Sequence, residues 1–152
     1  MEKEKLNFKI NLSGTGSPHP CKFRILVNND LLIEDLSKPT STVYEFYKEI
    51  EEGVHCLKIE LLNKKNIHVK KDNLGNIIED FLLNIHSIEI DEINLGSIVW
   101  THSNYHPIYP DNYLDVEQKN KKTVTNCVNL GWNGTWELEF SSPYYMWLLE
   151  NI

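Results

Sequence analysis

The sequence predicts an all-β fold, a jelly-roll-like β-sandwich built as a single domain over residues 1–152. Three observations predict it. Short runs alternate apolar and polar residues, the period-two signature of half-buried strands. About eight to ten such runs are set apart by Gly, Pro, Asn and Asp turn signals at the spacing of sandwich folds. No long stretch carries the 3.6-residue periodicity of a helix.

The cleanest alternation runs from Lys5 to Leu12, with Leu6, Phe8, Ile10 and Leu12 on one face and Lys5, Asn7, Lys9 and Asn11 on the other. Ser13 to Pro20 is a loop, because Gly and Pro interrupt ladders. Lys22 to Val27 is a strand with Phe23, Ile25 and Val27 in phase, and Asn28-Asn29-Asp30 is a turn that tolerates left-handed backbone. Leu31 to Leu36 completes a hairpin. Thr42 to Tyr47 is β-branched and aromatic, and Lys48 to Gly53 after it is a turn or a short helix.

The most informative stretch is Val54 to Gly96. Val54 to Leu62 is a strand, and Ile85 to Leu95 is one or two more, with Asp91-Glu92 marking a bulge or a tight bend. Ser97 to His102 is a further strand. An irregular excursion follows at about 103–122, marked by Pro107 and Pro110 and ending in the basic run Lys119 to Lys122. Thr123 to Leu130 and Thr135 to Phe140 are closing strands joined by Gly131-Trp132-Asn133-Gly134, with Trp136, Leu138 and Phe140 inward. Beyond Pro143, Tyr144 to Glu150 is one helical turn or an edge strand.

Composition narrows the function classes. The net charge is −7, from 15 Lys and Arg against 22 Asp and Glu. Sequence-independent nucleic-acid binding draws its affinity from Lys and Arg on phosphates, so nucleic acid is not the expected partner. No run approaches the roughly 20 apolar residues of a membrane span, so membrane insertion is not expected. The start, Met-Glu-Lys-Glu-Lys, lacks the apolar stretch of a signal peptide, which points to cytoplasmic synthesis. Cys21, Cys56 and Cys127 are far apart and form no CxxC pair, and they read as buried free thiols.

Two groups of residues suggest a ligand. Asp72, Asn73, Asn76, Glu79 and Asp80 gather oxygen-bearing side chains between two strands. Hard cations such as Ca2+ take six to eight oxygens of this kind, so Asp72, Asn73, Asn76 and Asp80 are candidate metal ligands. The same stretch also reads as an ordinary turn, and its spacing is not that of an EF-hand. The second group is aromatic: Trp100, Tyr105, Tyr109 and Tyr113, with Trp132 in its Gly-flanked turn. Aromatic faces stack on the C–H face of a sugar ring. Alternatively, these rings plug one end of a sandwich. His102 and His106 have i, i+4 spacing, but Pro107 and the β context argue against a helical zinc pair. No nucleophile elbow and no phosphate-cradling Gly loop is present, and His55 and Cys56, adjacent in a strand, point to opposite faces. An enzyme is not expected.

The order of elements resembles calcium-dependent carbohydrate-binding modules of the xylan-binding kind. The residues that carry the resemblance are Ile25 to Asn29, His55 to Glu60, Asn63-Lys64, Asp72 to Asp80 and Asn84 to Ile90. Lys64 stands where that family places an acid. The resemblance implies a sandwich whose late loop holds Ca2+ and sugar hydroxyls together. The tail from Gly131 to Asn151 looks like the ending of small β proteins encoded by marine bacteriophages, and Tyr144, Trp147 and Leu148 could seal a homo-oligomer. The expected function is therefore non-catalytic, Ca2+-assisted glycan binding in host or surface attachment of a bacteriophage. The alternative is a structural virion protein, a capsid decoration or tail adaptor, that acts only through protein contacts.

Overall fold

The computed structural model describes residues 3–15, 20, 22–62, 70, 71, 73, 74, 77–79, 82–108 and 123–152. Its elements are β1 (Lys3–Thr15), β2 (Lys22–Val27), β3 (Asp30–Leu36), β4 (Thr42–Glu51), β5 (Gly53–Leu62), β6 (Lys70–Lys71), β7 (Ile77–Glu79), β8 (Leu82–Ile90), β9 (Ile93–Asn94), α1 (Ile98–Thr101), β10 (Ser103–Pro107), β11 (Val124–Thr125), β12 (Asn129–Leu130), β13 (Gly134–Ser142) and α2 (Tyr144–Asn151). Two antiparallel sheets form the sandwich. One has the order β12-β8-β1-β4 with β9 beside β8, and the other the order β11-β10-β13-β5-β2-β3. No helix among the described residues is long and apolar enough to cross a membrane.

The core is the set of inward positions that alternation marks out. Leu6, Phe8, Ile10 and Leu12 of β1 meet Phe23, Ile25 and Val27 of β2, Leu57, Ile59 and Leu61 of β5 and Trp136, Leu138 and Phe140 of β13, all buried. Phe8 stacks on Phe46 at 4.9 Å and meets the edge of Phe140 at 6.0 Å, which ties the two sheets together. In β8 a bulge opposite Asn11 and Leu12 turns His86 and Ser87 outward, so Ile85 and Ile88 both stay inward. Asp91 and Glu92, at φ +52° and +67°, make the tight bend between β8 and β9.

Several elements differ from the sequence expectation, each for a local reason. Lys48 to Glu51 continues β4 and forms neither turn nor helix: Ile50 is buried, and Lys48 reaches Asp30 at 2.8 Å across the side of the sandwich. Ser97 to His102 is not a strand. Leu95, Ile98 and Val99 are all buried, and adjacent inward residues require a helical turn, which Gly96 at φ +56° opens. Ser103 to Pro107, expected within the irregular excursion, is a strand paired with β13, and residues 109–122 lie outside the described residues. Thr123 to Leu130 divides at Asn126, φ +55°: β11 joins one sheet and β12 the other. The tail is a helix of eight residues, with Tyr144 and Leu148 one turn apart and buried. Cys56 and Cys127 are free but half-buried, and Cys21 lies outside the described residues.

Candidate functional site

The described residues form a shallow recess at the end of the sandwich where β10 meets β13. Tyr105 is central to it. Its ring is inward on β10, and its hydroxyl donates to the Trp132 carbonyl and accepts the Trp132 backbone N–H at 3.1 Å. One side chain thus satisfies both polar backbone groups of a loop residue, which holds the Gly131–Asn133 corner in one conformation. The backbone N–H of Ile108 adds a bond to the Asn133 carbonyl at 2.7 Å. Trp136 donates from Nε1 to the Cys127 carbonyl at 3.1 Å and so ties down the neighbouring crossover.

Gly134 closes the corner, and only glycine fits there. Its φ is +153°, and a Cβ would lie 2.3 Å from the His106 carbonyl oxygen and 2.8 Å from the Pro107 Cα. The backbones approach because Pro107 pairs with Gly134 at the end of the ladder. Beside this contact lies a shallow cleft of about 220 Å3, lined by Glu60, Leu61, Leu62, Ile108, Asn133, Gly134 and Thr135. Ile108 is 70% exposed at its rim. Glu60 and Thr135 are cross-strand partners, and His106 is the next partner along the same row. The outer face of this sheet continues with Glu137, whose Oε1 meets His106 Nε2 at 2.8 Å, while Thr123 Oγ1 lies 3.2 Å from His106 Nδ1.

The Cys56 thiol faces the other Glu137 oxygen at 3.7 Å. Burial, and then the negative charge of Glu137, pushes this thiol up to about 11, so at neutral pH it holds its proton and is a poor nucleophile. Cys127 is also raised by burial.

Among solved structures, a selenomethionine form of vCBM60 shares this architecture with a TM-score of 0.55 and 10% identity, over 88% of this chain and 89% of that chain. Its description speaks of a circular permutation that links two families of calcium-dependent carbohydrate binding modules. A structure of vCBM60 in complex with galactobiose matches with a TM-score of 0.50 and 11% identity, over 89% of this chain and 97% of that one. The chain has the β-sandwich fold of these modules. No protein-family model matches it, and no curated protein matches it in sequence.

The residues singled out in the sequence fall in different places. Tyr105 is 3% exposed and its hydroxyl is committed to Trp132, so it supports the corner from beneath and is not a stacking surface, a correction to the expectation. Trp132 is half-buried against the core, next to the cleft residue Asn133. Trp100 is 47% exposed on α1 and precedes the Ser103 end of β10, whereas Trp132 precedes Gly134, which pairs with the opposite end of β10. The structure therefore does not bring Trp100 and Trp132 together. Tyr109 and Tyr113 lie outside the described residues.

Of the candidate calcium ligands, Asn73 lies exposed in the turn between β6 and β7, and Asp72, Asn76 and Asp80 lie outside the described residues. Among the described residues no three His, Cys, Asp or Glu side chains are grouped to hold a metal ion. Sequence reasoning missed Glu60, Ile108, Asn133 and Thr135. The outward phase of Glu60 and Thr135 was visible, but their adjacency depends on the β5–β13 register, which no local pattern specifies.

Proposed function

We propose that this chain is a non-catalytic glycan-binding module whose contact surface is the cleft beside the Trp132 corner. The observation that carries the reading is that corner. A rigid turn holds Trp132 and Asn133 beside the exposed Ile108, next to the outward polar groups of Glu60 and Thr135. Apolar surface for a sugar face beside carboxylate, amide and hydroxyl groups for its hydroxyls is the composition of a saccharide site. The shared fold supports the reading, and the ligand named for vCBM60, galactobiose, is the natural first probe. Calcium enters through the 72–80 stretch of the sequence, where Asp72, Asn73, Asn76 and Asp80 would supply hard oxygen ligands.

Calorimetric titration with galactobiose, and a glycan array, each run with Ca2+ and with a chelator, test this. Binding that weakens at least tenfold in Ile108→Ser and Trp132→Ala supports the cleft. Silence in both conditions overturns the function, and binding indifferent to chelator removes calcium from it.

A second reading has its own observation. Helix α2 turns Tyr145, Met146 and Leu149 outward, and Ile152 follows them exposed. An apolar stripe of this kind, bordered by the exposed Glu150, suits a protein contact, as a homo-oligomer or a structural virion subunit would require. Oligomers in light scattering that dissociate in Leu149→Glu, together with silent glycan arrays, would favour it.

A further inference from the structure

We propose that the cleft sorts saccharides by charge, with Glu60 as the deciding residue: it takes neutral sugars, takes sugars with a free amine more tightly, and rejects uronic acids. The inference rests on the glycan-binding reading above and adds the class of sugar.

Glu60 projects outward from β5 at the cleft wall, between Thr135 on β13 and Arg24 on β2. Among the described residues its carboxylate has no hydrogen-bonding or ionic partner. The described cations near it are turned elsewhere. Arg24 Nε faces Glu34 at 3.4 Å, within reach of its charge though off the line of a hydrogen bond, and Lys22 Nζ reaches the same carboxylate at 2.5 Å. Lys58, one position along the same face, extends toward Asn29 at 3.4 Å. On the other side Glu137 stands diagonal to Glu60 on the neighbouring strand, a second carboxylate on this face. Among the described residues that line the cleft, Glu60 alone carries a charge, so the wall itself presents a carboxylate.

The chemistry follows from that placement. A carboxylate offers two acceptor oxygens to a pair of sugar hydroxyls. An ammonium group makes the same contact as a charge-assisted hydrogen bond, which is stronger than a neutral one. An incoming carboxylate brings like charge within a few ångströms and strips water from both groups.

Three disaccharides of one configuration test the proposal: galactobiose, its 2-amino counterpart and digalacturonate, each titrated against the full chain at low and at physiological salt. The amino sugar is expected to bind about tenfold more tightly than galactobiose at low salt, with the ratio shrinking as salt rises. Digalacturonate is expected not to bind. In Glu60→Gln the amine-to-neutral ratio falls to about one. In Glu49→Gln, which removes the same charge from the outer face of the other sheet, the ratio stays. Digalacturonate binding as well as galactobiose, or an amine preference that survives Glu60→Gln, overturns the proposal while leaving glycan binding intact. Failure of all three sugars to bind overturns both.

Discussion

Glu4 Oε2 accepts the backbone N–H of Tyr144 at 2.8 Å and also the hydroxyl of Ser142. The first strand thus supplies the cap for the last helix. Tyr144 N–H is one of the donors that a helix start leaves without an intrahelical partner, and a carboxylate there also meets the positive end of the helix dipole. Pro143, the residue before the helix, has no side-chain cap of its own. Below the cap, Tyr144 stacks on Trp147, and Trp147 meets the edge of Phe140 at 6.4 Å, so the cap fixes how α2 sits on the core. Glu4→Ala is expected to lower stability by about 1 kcal/mol, read as a lower urea midpoint with an unchanged slope. An unchanged midpoint would mean that packing alone seats α2.

The Cys56 thiol makes a prediction with a definite sign. Burial first, and the charge of Glu137 second, raises it to about 11. Below an unfolded thiol value of roughly 8.5 both states keep the proton. Between there and about 11 the unfolded chain releases its proton first, so the contribution to stability is lost as pH rises. Alkylation of Cys56 by iodoacetamide should be slow at pH 8 and accelerate toward pH 11. Glu137→Gln should move the profile to lower pH. A rate that levels off near pH 8.5 would refute the burial argument.

Gly134 carries the most severe steric constraint at the cleft. In Gly134→Ala the new methyl would meet backbone, the His106 carbonyl oxygen and the Pro107 Cα, and neither can swing away as a side-chain tip could. The strain at this backbone angle adds to the clash, for a combined cost of about 2–3 kcal/mol. Thermal unfolding checks it. A fall in melting temperature is expected in Gly134→Ala and not in Gly53→Ala to the same degree: Gly53 also has positive φ, at +129°, but nothing lies within 4 Å of its Cβ position.

The parts of the fold that were legible are those that local environment decides. β1 reads without ambiguity because each outward Lys or Asn alternates with a residue fully enclosed by the other sheet. Trp136, Leu138 and Phe140 read inward for the same reason. The misread elements depend on distant partners. Lys48 looks like a strand breaker until Asp30, on another strand, receives its charge. Asn126 looks like one polar residue in a strand, yet its left-handed backbone sends the two halves to different sheets. The cleft was the least legible part. Asn133 lies in a Gly-flanked turn that the sequence marks, but Glu60 reaches it only through the register of two strands far apart in the chain. Tyr105 sits in a short run between polar residues and Pro107, where the phase of alternation gives no inward direction.

Tyr105 and Trp132 provide the sharpest separation of support from contact. Tyr105→Phe removes one oxygen, leaves the buried ring in place and strips both the carbonyl and the N–H of Trp132 of a partner. Each hydrogen bond lost in this way costs about 0.5–1.5 kcal/mol. The loop can then open to water, which frees the Trp132 side chain from one position. Stability should therefore fall, and Trp132 fluorescence, isolated in a background with the other tryptophans replaced by Phe, should shift to longer wavelength. Trp132→Phe should do the reverse: it keeps the backbone bonds and the stability, and it weakens saccharide binding if the ring contacts the sugar. If Tyr105→Phe leaves both the midpoint and the emission unchanged, the hydroxyl does not hold the corner, and the rigidity of the cleft comes from other contacts, the Gly134 packing and the Ile108–Asn133 bond among them.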